Sequence, residues 1–200
     1  MFGGNFQTWK LHSAQDYFMF FAYILAGVLV FWLIAKHMNK QRNHEKAVEK
    51  VSGRLKKICG KPGEVLKNTT LNLPEGKMTF DVVLMDKRGV YLVRTYGWGI
   101  KIYGTPDGAM WRREDAKRKE EFENPLLELK KGVEEITKVM EENGVQNLKV
   151  MPMVVFADNF QTPELYLGYG SFSTTYQELK SWYKKQSGVK EVQYDYDKVS

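Results

Sequence analysis

The sequence predicts a mixed α/β domain, with a central sheet and helices on its faces, preceded by one membrane-crossing helix. Three observations predict it. An uncharged apolar run of 19 residues lies near the N-terminus, at Tyr17 to Ala35. Short β-rich runs separated by turn residues fill the middle of the chain, from Met78 to Arg112. An amphipathic helix opening on Asn124-Pro125 is followed by the apolar strand Leu148 to Ala157 and a last helix.

The first element reads YFMFFAYILAGVLVFWLIA. At ~1.5 Å per residue it reaches about 29 Å, close to the hydrocarbon thickness of a bilayer. Tyr17 and Trp32 lie near its ends, where aromatic rings favour the interface. Lys36-His37-Met38-Asn39 follows in place of a small-residue cleavage site, which argues against a signal peptide. Before the span, residues 1–16 form an external tail. Its Phe2, Phe6 and Trp9 suit either an interfacial helix or a disordered segment. Gly27 with Ala22, Ala26 and Ala35 is a weak small-residue signal for self-association of the span.

The charge of +6 sits in one place. Lys36 to Lys57 holds eight basic and two acidic residues, and the remaining 22 basic and 22 acidic residues cancel. The high pI is therefore a basic collar beside the membrane, and not a basic globular surface for nucleic acid. By the positive-inside rule the collar places the large domain in the cytoplasm, with the N-terminus outside. The collar also suits anionic lipid. The span, external tail and orientation fit a bacterial inner (plasma) membrane best. The one cysteine, Cys59, permits no intrachain disulfide. His12, His37 and His44 all lie near the span, so no His-rich metal site is expected in the domain.

After a basic linker at 36–43, the domain is expected over 44–186, with a tail at 187–200. His44 to Ile58 is an amphipathic helix with Val48, Val51, Leu55 and Ile58 on one face, broken at Lys61-Pro62-Gly63. Met78 to Asp86 and Val90 to Tyr96 read as strands around a Lys87-Arg88-Gly89 turn. A second hairpin is predicted from Ile100 to Arg112 around Thr105-Pro106-Asp107-Gly108. Arg112 to Glu123 is dense in both charges and reads as a solvated loop or short helix. Asn124 as N-cap and Pro125 at the first position open a helix lined by Leu126, Leu129, Val133, Ile136 and Met140. Leu148 to Ala157 is a buried strand, and Thr175-x-x-Glu178 caps the last helix.

These elements in this order resemble the nuclease-related domain (NERD) family, a branch of the restriction-endonuclease-like fold, over roughly residues 42 to 180. His44-Glu45-Lys46-Ala47-Val48 looks like the family's first-helix Gly-Glu-x-x-Val motif. Asp81 matches its strand aspartate, and Gly89 to Tyr96 its Glu-x-Lys strand. Further matches are Gly97 to Gly99, Trp111, Asn124-Pro125-Leu126 and Val154-Val155-Phe156. The resemblance implies catalytic positions at Glu45, Asp81, Arg94 and Tyr96, and Mg²⁺ as the cofactor of an active member.

The chemistry departs from the family at its centre. Mg²⁺ needs oxygen ligands, and it activates the attacking water. Where the family has Glu and Lys two residues apart on one strand face, this chain has Arg94 and Tyr96. Arginine neither binds a cation nor deprotonates. Arg94 is expected to stand in the metal's place and pair with Asp81 and Glu45. No cofactor is then required, and the expected function is a membrane-anchored, inactive binding module. Its partners would be membrane lipid, a protein or nucleic acid, with oligomers open. The alternatives are a metal-dependent nuclease using Glu114, Asp115 or Glu120, and a structural subunit of a membrane assembly. Gly97-Trp98-Gly99 lacks the spacing of a phosphate loop. Ser171, Ser173 and Cys59 have no histidine beside them in the domain, apart from His44 at its edge, for nucleophilic catalysis.

Overall fold

The computed structural model describes residues 14–41, 43–115, 118–145, 148–158 and 161–185. Residues 1–13 of the tail expected over 1–16, and the tail expected at 187–200, lie outside them, while Ala14 to Asp16 belong to the first helix. The chain divides into two units, Met1–Lys40 and Gln41–Ser200.

The first unit contains helix α1, Ala14–Gln41. Within it Tyr17–Lys36 has a mean hydropathy of 2.5, with no side chain of the window buried. It is one helix of membrane-crossing length. The basic residues expected in a linker begin on the same helix, which continues through Lys36 to Gln41.

The second unit is built on two sheets. Helix α2 (His44–Cys59) is capped by Asn43, whose side chain accepts the Glu45 N–H at 2.9 Å. Strands β1 (Glu64–Leu73), β2 (Gly76–Asp86) and β3 (Gly89–Tyr96) form an antiparallel meander. Strand β4 (Lys101–Gly104), β5 (Met110–Glu114) and β6 (Lys119–Glu123) form a second one. Helix α3 (Pro125–Glu142) returns the chain to β7 (Val150–Phe156), which lies parallel to β3. Strand β8 (Glu164–Leu167) joins β4, β9 (Ser173–Thr175) joins β7, and α4 (Leu179–Lys185) follows. The sheet orders are β1-β2-β3-β7-β9 and β6-β5-β4-β8.

Strands β2, β3 and β7 of the main sheet are buried on both faces. Val82, Leu84, Tyr91, Val93 and Met153 pack on α2 and α4 through Val48, Val51, Leu55 and Leu179. Val83, Leu92, Val154 and Phe156 pack on α3 through Leu126, Leu129 and Ile136, with Ile102 and Trp111 from the second sheet. Each such fully buried branched or aromatic side chain contributes about 1.5–3 kcal/mol. Strand alternation sets the two faces of β2 and β3.

Three strands and one loop differ from expectation. Strand β1 carries little apolar alternation, because EVLKNTTLNL is polar at its solvent-facing positions apart from Leu66, as an edge strand tolerates. Strands β8 and β9 are too short to carry a pattern. The charged stretch Arg112 to Glu123 is a hairpin, not a loop or helix. Its cross-strand pairs Arg113↔Glu120 and Arg112↔Glu121 match opposite charges. That hairpin also buries Trp111, whose indole lies 2.3 Å from where a Cβ on Gly104 would stand. Only glycine lets the two strands approach so closely there.

Candidate functional site

Strands β2 and β3 bring Asp81 and Arg94 side by side. The register pairs Val82 with Val93, so the next residues along, Asp81 and Arg94, face each other. Here the sheet becomes irregular. Strand β1 pairs Lys67 with Val82 and Thr69 with Phe80, skipping Asn68, which has φ of 47°. Phe80 packs toward α3 and Val82 toward α2, although residues two apart on a regular strand share a face. The β1–β2 register runs on unchanged past this point, so no residue is inserted; the Asn68–Asp81 pair is not formed and both strands are kinked there. The Asp81 carboxylate turns into the gap between β2 and β3, where it accepts the Thr95 N–H at 2.6 Å and the Thr95 hydroxyl at 3.1 Å on Oδ2.

The other oxygen, Oδ1, accepts from Arg94 Nη1 at 3.3 Å and lies 3.3 Å from His44 Nε2. Arg94 Nη2 donates to Glu128 Oε1 at 2.7 Å. Glu128 is presented by the first turn of α3. Asp81 is only 3% exposed. An unpaired carboxylate at that depth would cost several kcal/mol, and these donors remove the penalty. Burial works against the Arg94 charge, but Asp81 and Glu128 outweigh it and hold the guanidinium above its ordinary range.

Tyr96, two residues on, turns into an aromatic cluster. Its ring stacks on Phe156 at 5.4 Å and meets Trp98 at 4.8 Å and Phe122 at 5.5 Å. Burial pushes its hydroxyl up to about 12, the Arg94 charge pulling partly against it. It stays neutral at physiological pH and supplies no lysine-like charge.

Glu45 is not part of this constellation. It is exposed on α2, and its carboxylate makes no hydrogen bond or ion pair with Asp81 or Arg94. His44 reaches Asp81 instead, because one residue turns the direction by about 100° on a helix. The expected Arg94–Glu45 pair is therefore replaced by Arg94–Glu128. No local pattern marks Glu128 or Thr95. Each enters the site only through sheet register or helix packing.

The donor set does not suit a divalent cation. Arg94 lies against Asp81 Oδ1, and its positive charge would repel a cation there. Among the described residues, no three His, Cys, Asp or Glu side chains converge as a metal site. A second feature lies where β3 and β7 end. A cleft of about 280 Å³ is lined by Trp98, Arg113, Glu114, Asp115, Glu120 and Asp158, among others. Glu114 pairs with Arg112 at 3.1 Å and Lys119 at 3.2 Å. Glu120 pairs with Arg113, whose guanidinium also lies 4.2 Å over Trp98. Asp115 closes its turn by accepting the Arg118 N–H at 2.8 Å. Asp158, which the sequence did not single out, is 2% exposed.

A mixed sheet covered by helices, with a buried strand aspartate beside a charged in-register neighbour, defines a mixed α/β domain with a charged pair at its centre. Residues 40–157 match the nuclease-related domain, NERD, and the chain belongs to that family. An uncharacterized protein of Bacillus anthracis is 30% identical over 142 residues, covering 69% of this chain. The match takes in 64% of that relative, so this chain spans somewhat under two thirds of its length. No solved structure matches the chain.

Proposed function

We propose that this chain is a membrane-anchored NERD module that binds rather than cleaves, held at the cytoplasmic membrane face by α1. One observation carries the reading. Arg94 bridges Asp81 and Glu128, which supports the reading that a side-chain cation stands in for the family's metal. The guanidinium balances the buried carboxylate without metal, and the fold is kept while the hydrolytic chemistry is given up. The apolar helix and the basic residues after it support the anchor and the cytoplasmic orientation.

The test is a titration of the full chain in detergent with Mg²⁺ and Mn²⁺, beside cleavage assays on DNA and RNA. Neither tight metal binding nor metal-dependent cleavage is expected. Cleavage abolished by Asp81→Asn would overturn the reading. Salt-sensitive binding without cleavage points to a nucleic-acid partner, and co-purifying membrane proteins point to a protein partner.

A second reading rests on the cleft that gathers Glu114, Asp115, Glu120 and Asp158. It makes the chain a nuclease with a displaced site. Metal-dependent cleavage lost in Asp158→Asn and kept in Asp81→Asn would select it.

A further inference from the structure

At the far end of β2 and β3 from Asp81, five cations surround one pocket. Asp86 lies five residues along β2 from Asp81, or about 17 Å at the rise of a strand. The pocket there measures about 460 Å³ and is lined by Arg54, Lys57, Arg88, Lys180, Tyr183 and Lys184. Arg54 and Lys57 come from α2, Arg88 from the β2–β3 turn, and the rest from α4. Among the described residues no carboxylate lines it.

Two of the cations are pre-oriented with donors to spare. The Arg54 guanidinium lies 4.6 Å over the Tyr176 ring, and Nη2 donates to the Gln177 carbonyl at 3.2 Å. Its Nε is buried, with no partner among the described residues, and its remaining Nη protons are left for a ligand. The Arg88 guanidinium lies 4.2 Å over the Tyr183 ring, and Nη1 donates to the Tyr183 carbonyl at 3.2 Å. Behind it, buried Asp86 accepts the Tyr183 hydroxyl and, at 2.9 Å, the Arg88 N–H, which fixes that wall. A guanidinium has five N–H donors in a rigid fork suited to phosphate oxygens. Lys57 and Lys180 add mobile point charges at the exposed rim. Gathering like charges around a concave surface raises the local potential and concentrates anions.

We propose that this α2–α4 pocket binds an anion carrying two or more phosphate groups. The charge density requires more than a single carboxylate, and the volume matches a nucleotide-sized ligand. Such phosphates occur both in soluble nucleotides and in lipid headgroups. The site is separate from the Asp81–Arg94 pair and does not depend on whether the domain cleaves.

The test is calorimetry on the full chain in detergent, titrated separately with pyrophosphate, ATP and a short-chain phosphatidylinositol bisphosphate. At least one probe is expected to bind saturably, more weakly as salt is raised. Lys57→Gln with Lys180→Gln, both at exposed positions, is expected to weaken it about tenfold or more. Lys138→Gln on the exposed side of α3 serves as control and leaves affinity unchanged. Binding by pyrophosphate or ATP identifies a soluble phosphate, and binding by the lipid alone identifies a headgroup. Either supports the site. Absence of saturable binding by all three probes overturns the proposal, as does an affinity untouched by the double substitution or lowered equally by the control.

Discussion

Arg94 Nη1 lies 3.3 Å from Asp81 Oδ1, and the same guanidinium reaches Glu128 Oε1 at 2.7 Å. The pair ties β2 to β3 and the sheet to the first turn of α3. It sits where the sheet is kinked, opposite Asn68 of the neighbouring strand, which takes a positive φ. A backbone irregularity of that kind persists only when its surroundings over-determine it. Here those surroundings are the donors of Thr95, Arg94 and His44 around a single carboxylate.

Arg94→Ala leaves a buried carboxylate with Thr95 as its main partner. Destabilisation by about 2–3 kcal/mol is expected, less than for a fully buried pair because Arg94 keeps 19% side-chain exposure. Thermal unfolding of the full chain in detergent measures it. Asp81→Asn in the Arg94→Ala background should recover part of the loss, since no charge is then left unpaired.

Arg94→Glu with Tyr96→Lys restores the family's residue types beside Asp81. The unfolding temperature of this variant should rise with added Mg²⁺ by mass action, while that of the unchanged chain stays constant. Equal shifts in both proteins would show that Arg94 does not exclude the ion.

Stability should fall at alkaline pH. The folded-state value of Tyr96 is raised from 10.0 to about 12, so its contribution is complete below about pH 10 and is lost as pH rises through about 12. Over that window the loss is up to about 2–3 kcal/mol for two pH units. Tyr183 is raised too, by burial and by its bond to Asp86, and adds in the same direction. Tyr96→Phe should flatten this part of the unfolding profile between pH 10 and 12 and leave the profile at pH 7 unchanged in shape.

Asn124→Ala should cost about 2–3 kcal/mol, more than a helix cap alone. The Asn124 side-chain oxygen Oδ1 accepts the Leu126 N–H at 2.9 Å. Its amide donates to the Gly108 carbonyl at 2.7 Å and the Pro106 carbonyl at 3.2 Å. Asn124→Asp keeps the cap but turns a buried carboxylate oxygen onto the two carbonyl oxygens, so it should cost at least as much as Asn124→Ala. Denaturant unfolding ranks the three.

Gly89→Ala should be the most damaging of the small changes. Gly89 has φ of 132°, and an added Cβ would stand 2.0 Å from the Lys149 carbonyl oxygen. That oxygen accepts the Val90 N–H at 2.8 Å. The clash is with backbone, so a loss of at least about 3 kcal/mol or failure to accumulate is expected.

The sequence alone determined the elements whose signal is local. The apolar run at Tyr17 to Ala35 is set by composition, α3 by Asn124-Pro125, and β2, β3 and β7 by continuous apolar runs. Asp81 and Arg94 were marked only by resemblance to the family's motifs, and the strand register brings the two together. Tertiary structure decided the rest. Whether Arg94 meets Glu45 or Glu128 depends on how α2 and α3 pack on opposite faces of the sheet, and that is a long-range outcome. The charged run at Arg112 to Glu123 becomes a hairpin only because its charges find cross-strand partners and Trp111 finds a core. The basic pocket draws on α2, a turn and α4, with Arg54 and Lys180 126 residues apart along the chain. No short window records such a meeting, because burial and register act between segments and not within them.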